Sequence, residues 1–184
     1  MSALVELLPR CRTGILFSGP MVLALLRDLD PKTVTRRMSH AWLRLKPGDY
    51  LYVRETLNER EDGTWMRAAD KTAIELEHND PRVPAMVAWA HHQERDYCPS
   101  IHMPKWASRC VLRITEKPRL ERVQDITEED AKREGVERGP ACDERCETPH
   151  RCGFIDVWHR LHTKPGERWA DNPSVVRLAF ERVA

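Results

Sequence analysis

Lys32-Thr33-Val34-Thr35-Arg36-Arg37 packs a titratable amine, two hydroxyls and two permanent cations into six residues, and the reading of this chain turns on it. Upstream, Ile15 to Ser18 reads as a short strand. Gly19-Pro20 then opens an amphipathic helix to about Leu29, with Val22, Leu25, Leu26 and Leu29 on one face. Asp30-Pro31 ends it, because proline disfavours helical geometry in the residue before it. Downstream, Lys46-Pro47-Gly48-Asp49 is a turn signal, and Tyr50-Leu51-Tyr52-Val53-Arg54-Glu55-Thr56 is the strongest strand candidate. The hexapeptide therefore sits at a helix-to-strand junction. A lysine three residues ahead of a threonine outlines a base and a nucleophile, and paired arginines suit phosphate. Residues three apart on a regular strand face opposite ways, so the two cooperate only in a turn or bulge. The same six residues also read as a solvated basic turn.

The 184 residues fit one domain, 1–184, with a proper core; 41% are hydrophobic and 32% charged, which is a globular balance. A formal net charge of +1 gives no global basic field, so any nucleic-acid contact must come from a local patch. The N-terminus lacks a charged leader region, and no apolar run approaches the length of a membrane span. The expectation is a cytoplasmic protein whose six cysteines bind metal or are simply buried.

Beyond residue 57 the pattern loosens. Residues 58–100 read as an insertion, with weak strands around Trp65 and from Met86 to Trp89, and with His91-His92 on a surface loop. Ser108 to Glu116 and Arg119 to Val123 read as strands. Asp125-Ile126-Thr127-Glu128-Glu129-Asp130 is a helix start: Thr127 caps, acids fill the first turn, and the helix stops at Gly135. A second insertion spans 137–152. Gly153 to His162 forms another amphipathic helix, and Val175 to Val183 a closing strand. Strands dominate, with about three helices at the connections, so the fold expected is α+β, a small barrel.

The hexapeptide, the Pro47-Gly48-Asp49 turn into a strand, and Asp125 to Val136 occur in an order that resembles the ASCH superfamily. The larger, phage- or prophage-borne members are the most similar, a likeness shared by Ile101-His102-Met103-Pro104-Lys105-Trp106-Ala107-Ser108-Arg109. The resemblance implies a PUA-like β-barrel and a nucleoside or RNA ligand, bound in the cleft beside the first helix. Small bacterial members include amidohydrolases that remove the acyl group of N4-acetylcytidine with a lysine, a threonine and a glutamate. Lys32, Thr35 and Glu134 match those three, and Arg37 matches the motif arginine. On that model Lys32 is the base, Thr35 the nucleophile, Glu134 the proton shuttle and Arg37 the anchor, with Arg36 beside it, and no cofactor takes part. The resemblance leaves open a non-catalytic RNA- or DNA-binding module and a ribonuclease.

Two further constellations stand out. His102, Lys105, Trp106 and Arg109 mix aromatic and basic types, as a base-stacking, phosphate-contacting surface does, although Trp106 also reads as a core residue. Cys142, Cys146, His150 and Cys152 could fill a tetrahedral, structural zinc site; the alternative is a variable loop with free thiols.

Overall fold

The computed structural model describes residues 3–74 and 93–184. In chain order the regular elements are α1 (Ala3–Leu7), β1 (Thr13–Leu16), α2 (Gly19–Leu25), β2 (Val34–Arg37), β3 (Tyr50–Arg54), β4 (Leu57–Glu59), β5 (Trp65–Arg67), β6 (Tyr97–Cys98), β7 (Val111–Ile114), β8 (Arg119–Arg122), α3 (Glu128–Arg133), α4 (Pro149–Leu161) and β9 (Ser174–Arg182), joined by loops and short 3-10 turns. The chain is mixed α+β. The described residues fall into two compact units, one from 3–23, 50–74, 93–112 and 183–184, the other from 24–49 and 113–182.

In the first unit β1 runs parallel to β3, with Thr13 opposite Leu51 and Leu16 opposite Arg54. β3 alternates as its sequence demands, with Leu51 and Val53 buried and their neighbours half-buried. The segment read as an insertion holds a small antiparallel sheet, with β4 between β5 and β6; β5 is the strand expected around Trp65, whereas β4 and β6 were not expected. That sheet buries Leu57, Trp65 and Cys98 with Ile74, Met103 and Ala107, and Trp106 packs against the cluster. The expected Met86–Trp89 strand and the His91-His92 loop lie outside the described residues.

In the second unit β9 lies between β2 and β8, antiparallel to both. Flanked on both sides, it is buried without a break from Val175 to Phe180. α3 starts as expected: the Thr127 hydroxyl accepts from the Asp130 N–H at 3.1 Å, with Glu128, Glu129 and Asp130 in the first turn. α3 packs on α4, burying Val123, Ile126, Ala131, Phe154, Trp158 and Val175.

Two helix ends differ from the sequence reading by four residues. α2 ends at Leu25, where a helix to Leu29 was expected, and Leu29 is exposed. Asp30 turns into the left-handed region at φ 50°, and the Lys32 N–H reaches back to the Ala24 carbonyl at 3.0 Å. α4 begins at Pro149, four positions before the expected Gly153. Proline suits a first helical position, and the Glu128 carboxylate accepts from the exposed N–H groups of His150 and Arg151 at 3.1 and 2.8 Å. No helix among the described residues is long and apolar enough to cross a membrane.

Candidate functional site

β2 starts at Val34, so Lys32 lies ahead of the strand, in the turn that follows Asp30. The chain is pinned there by the Thr33 N–H on the Arg133 carbonyl and the Phe180 N–H on the Thr33 carbonyl, at 2.8 and 2.9 Å. This turn sends the Lys32 side chain inward. Its Nζ donates to the Val34 carbonyl at 2.8 Å, the Glu134 carbonyl at 2.7 Å and Glu134 Oε2 at 2.6 Å. These three acceptors match the three donors of an ammonium. Burial pulls its pKa down, and Glu134 opposes that pull.

Arg36 completes the pair's surroundings. Its guanidinium donates to Glu121 at 2.6 Å, to Asp130 at 2.8 Å and to the other oxygen of Glu134 at 3.3 Å. Asp130 in turn receives Nε and a terminal nitrogen of Arg177 at 2.7 and 3.0 Å. The result is a buried ladder: Lys32, Glu134, Arg36, Asp130, Arg177. Arg37 follows on β2; burial brings its pKa down to about 10, against the pull of Glu134, so it stays charged at neutral pH.

Thr35 is fully buried on β2, and its Oγ1 has no hydrogen-bond partner. An unsatisfied buried hydroxyl costs about 1–3 kcal/mol, so it is an unusual thing for a fold to keep. Of the residues matched to the hydrolase pattern, the structure joins Lys32 to Glu134 directly and leaves the Thr35 hydroxyl unengaged.

Gly135 sets this geometry. It adopts φ 76°, and a Cβ there would lie 2.6 Å from Ala24 Cβ and 3.2 Å from Lys32 Cβ. Gly135→Ala therefore strains the backbone and pushes on Lys32 itself. We expect a loss of at least about 1 kcal/mol in urea unfolding, with wild-type-like stability arguing against a tight site.

Asp130 gives the ladder a pH signature. Its carboxyl is held well below the usual range, first by the Arg177 hydrogen bonds and then by Arg36, against the upward push of burial. A depressed folded pKa contributes stability at pH values above the unfolded value, about 4, and loses it as pH falls through the lower folded value. Acid unfolding of Asp130→Asn should thus depend less steeply on pH below about 4 than that of the wild type. Equal slopes would mean that Asp130 is unperturbed.

The sequence reading missed Asp130 and Arg177 as site residues. Asp130 looked like a capping acid. The available signal was Arg177 itself, a lone cation inside Val175-Val176-Arg177-Leu178-Ala179-Phe180, which demands a buried partner.

The proposed base-stacking group lies in the first unit. Arg109 grips Glu55 with two nitrogens at 2.8 and 2.9 Å and Asp70 with a third at 2.5 Å. Lys105 Nζ donates to the Pro9 and Cys11 carbonyls at 3.4 and 3.1 Å. Trp106 is half-buried against the apolar cluster, and His102 is exposed. The cations of this group thus already have partners within the protein.

Cys142, Cys146 and Cys152 come together: their Sγ atoms all lie within 4.8 Å of one another, and the group could hold a metal ion. Cys146 and Cys152 are 3.9 Å apart, and none of the three is in a disulfide. The shared thiol hydrogen bonds push Cys142 up to about 12 and hold Cys146 below its usual value. His150, expected as a fourth ligand, is not in the group; its Nδ1 lies 2.9 Å from the Val136 carbonyl. With this geometry established, comparisons with models of protein families, with curated proteins and with solved structures return no match.

Proposed function

We propose that this chain is an ASCH-like protein with a PUA-like barrel, that it recognises a nucleoside or RNA in a reducing cytoplasm, and that it hydrolyses an N4-acylated cytidine. The observation that carries the reading is the unpartnered Thr35 hydroxyl three residues after a buried lysine already paired with glutamate. A hydroxyl without a structural bond is free for chemistry.

The ammonium of Lys32 first gives a proton to Glu134 along the 2.6 Å contact, a transfer that burial favours because it leaves a neutral pair. The Thr35 hydroxyl, which has no bond to Nζ at rest, must first move into its reach; neutral Nζ then takes the proton as Oγ1 attacks the acyl carbon. The carbon–N4 bond breaks as Glu134 returns its proton to the leaving nitrogen, releasing cytidine and leaving the acyl group esterified to Thr35. Glu134 takes a proton from water as the water oxygen attacks the ester carbon, and Lys32 gives a proton to the departing Thr35 Oγ1. Acetate leaves with its proton lost to solvent, and Glu134 then returns its proton to Lys32. Arg37, charged and beside Glu134, serves the developing oxyanion or a phosphate. Thr35 is enclosed, so the acyl group reaches it only by displacing the side chains that cover it.

Incubation of the purified chain with N4-acetylcytidine tests this, reading cytidine and acetate. Their absence at every pH would remove the hydrolase. One observation favours a second reading, a non-catalytic nucleic-acid module: every proton of Lys32 is already engaged, as in a purely structural ion pair. Nucleoside or RNA binding with no turnover would select it. For the thiol cluster we propose a structural zinc, the ion suited to thiolates at tetrahedral spacing.

A further inference from the structure

We infer that Cys142, Cys146 and Cys152 form a three-thiolate zinc site whose fourth position is open to a small thiol from solution. This rests on the zinc reading above and is independent of the nucleoside reading. Zinc–sulfur bonds of about 2.3 Å around a tetrahedral centre place sulfurs about 3.8 Å apart. The Cys146–Cys152 separation is 3.9 Å, and the third sulfur lies within 4.8 Å of both, so small side-chain rotations close the site.

The backbone is shaped for this. The Cys142 N–H folds back on the Gly139 carbonyl at 3.0 Å, and the Cys146 N–H on the Asp143 carbonyl at 3.3 Å. Cys152 lies in the first turn of α4, which fixes its backbone beside the loop that carries the other two. Gly139 leaves the room that the sulfurs need: a Cβ there would lie 2.8 Å from Cys152 Cβ and 3.2 Å from Cys142 Sγ.

Among the described residues no fourth His, Cys, Asp or Glu joins the three. His150 is not in the group, and its Nδ1 lies 2.9 Å from the Val136 carbonyl. The three cysteines are half-buried, so a small thiol from solution can reach the group. Three thiolates make zinc a soft, weakly acidic centre that prefers sulfur to water. An incoming thiol loses its proton to solvent and its sulfur replaces the bound water. No electron is transferred. Arg138, which donates to the Asp143 carbonyl at 3.0 Å, places a cation beside the same loop.

The test loads the fully reduced chain with cobalt(II) and reads its thiolate charge-transfer and d–d bands. One ion per chain is expected. Cys142→Ser, Cys146→Ser and Cys152→Ser should each weaken binding at least about tenfold, whereas His150→Ala should keep it. Adding β-mercaptoethanol should strengthen and shift the bands, reversibly on desalting with cobalt retained. Loss of metal in His150→Ala, bands indifferent to the thiol, or no stoichiometric metal would overturn the proposal. The wild-type chain stripped by a chelator, followed by circular dichroism, separates metal loss from misfolding in the variants. None of these readouts involves a nucleoside, so this proposal and the hydrolase reading fail separately.

Discussion

Thr35→Val is expected to lower kcat/KM for N4-acetylcytidine by about 10³-fold or more while leaving the melting temperature unchanged or raised. Valine keeps the shape of threonine and removes only the hydroxyl. Because Oγ1 has no partner, no hydrogen bond is lost with it, and an unsatisfied buried group disappears. A structural threonine would behave oppositely, since its removal would destabilise without touching chemistry. Thr35→Ser keeps a nucleophile and should recover part of the rate. Full turnover in Thr35→Val would end the hydrolase assignment. Unchanged nucleoside affinity with no turnover in the wild type would leave a binding module.

The second large effect concerns the buried pair. Lys32 and Glu134 are almost fully enclosed, so removing Glu134 strands the Lys32 charge, and removing Lys32 leaves Glu134 with only the longer Arg36 contact at 3.3 Å. Glu134→Leu should cost about 3–5 kcal/mol in chemical denaturation, and Lys32→Met a comparable amount. The double variant should cost clearly less than the sum, because two apolar side chains replace the pair and neither charge is stranded. Arg36 keeps Glu121 and Asp130 in that variant, so the rest of the ladder stays neutralised. Additive losses would mean that the two residues do not act as a pair. The cycle measures stability alone and stands whether or not the chain is an enzyme.

Much of the local structure could be read from the chain because it is written in short-range chemistry. The Thr127 cap, the stop at Gly135 and the start of β3 at Tyr50 each depend on a few neighbouring residues, and each appears where expected. Of the sheet of β4, β5 and β6 only the strand at Trp65 showed in the sequence, because strands of two or three residues are too short for a period to emerge. At the site, Lys32 and Glu134 were identifiable as residues but not as a closed pair, since contact across a hundred positions leaves no local trace. Asp130 was masked by its own second role, because a helix-start acid explains itself without a buried partner. The thiols were recognisable by type, whereas the absence of His150 from their group depends on three-dimensional placement that spacing does not encode.

Arg177 carries one consequence for how the fold is selected. β9 is buried on both faces, so its sequence lacks the alternation that ordinarily tells a strand which neighbour to oppose. A slip by one residue would exchange one apolar side chain for another almost everywhere, at little cost. At Arg177 it would not, because the guanidinium must meet Asp130 or be stranded in the core. A single buried cation thus acts as a proofreading mark, penalising mispaired sheets that hydrophobicity alone would accept.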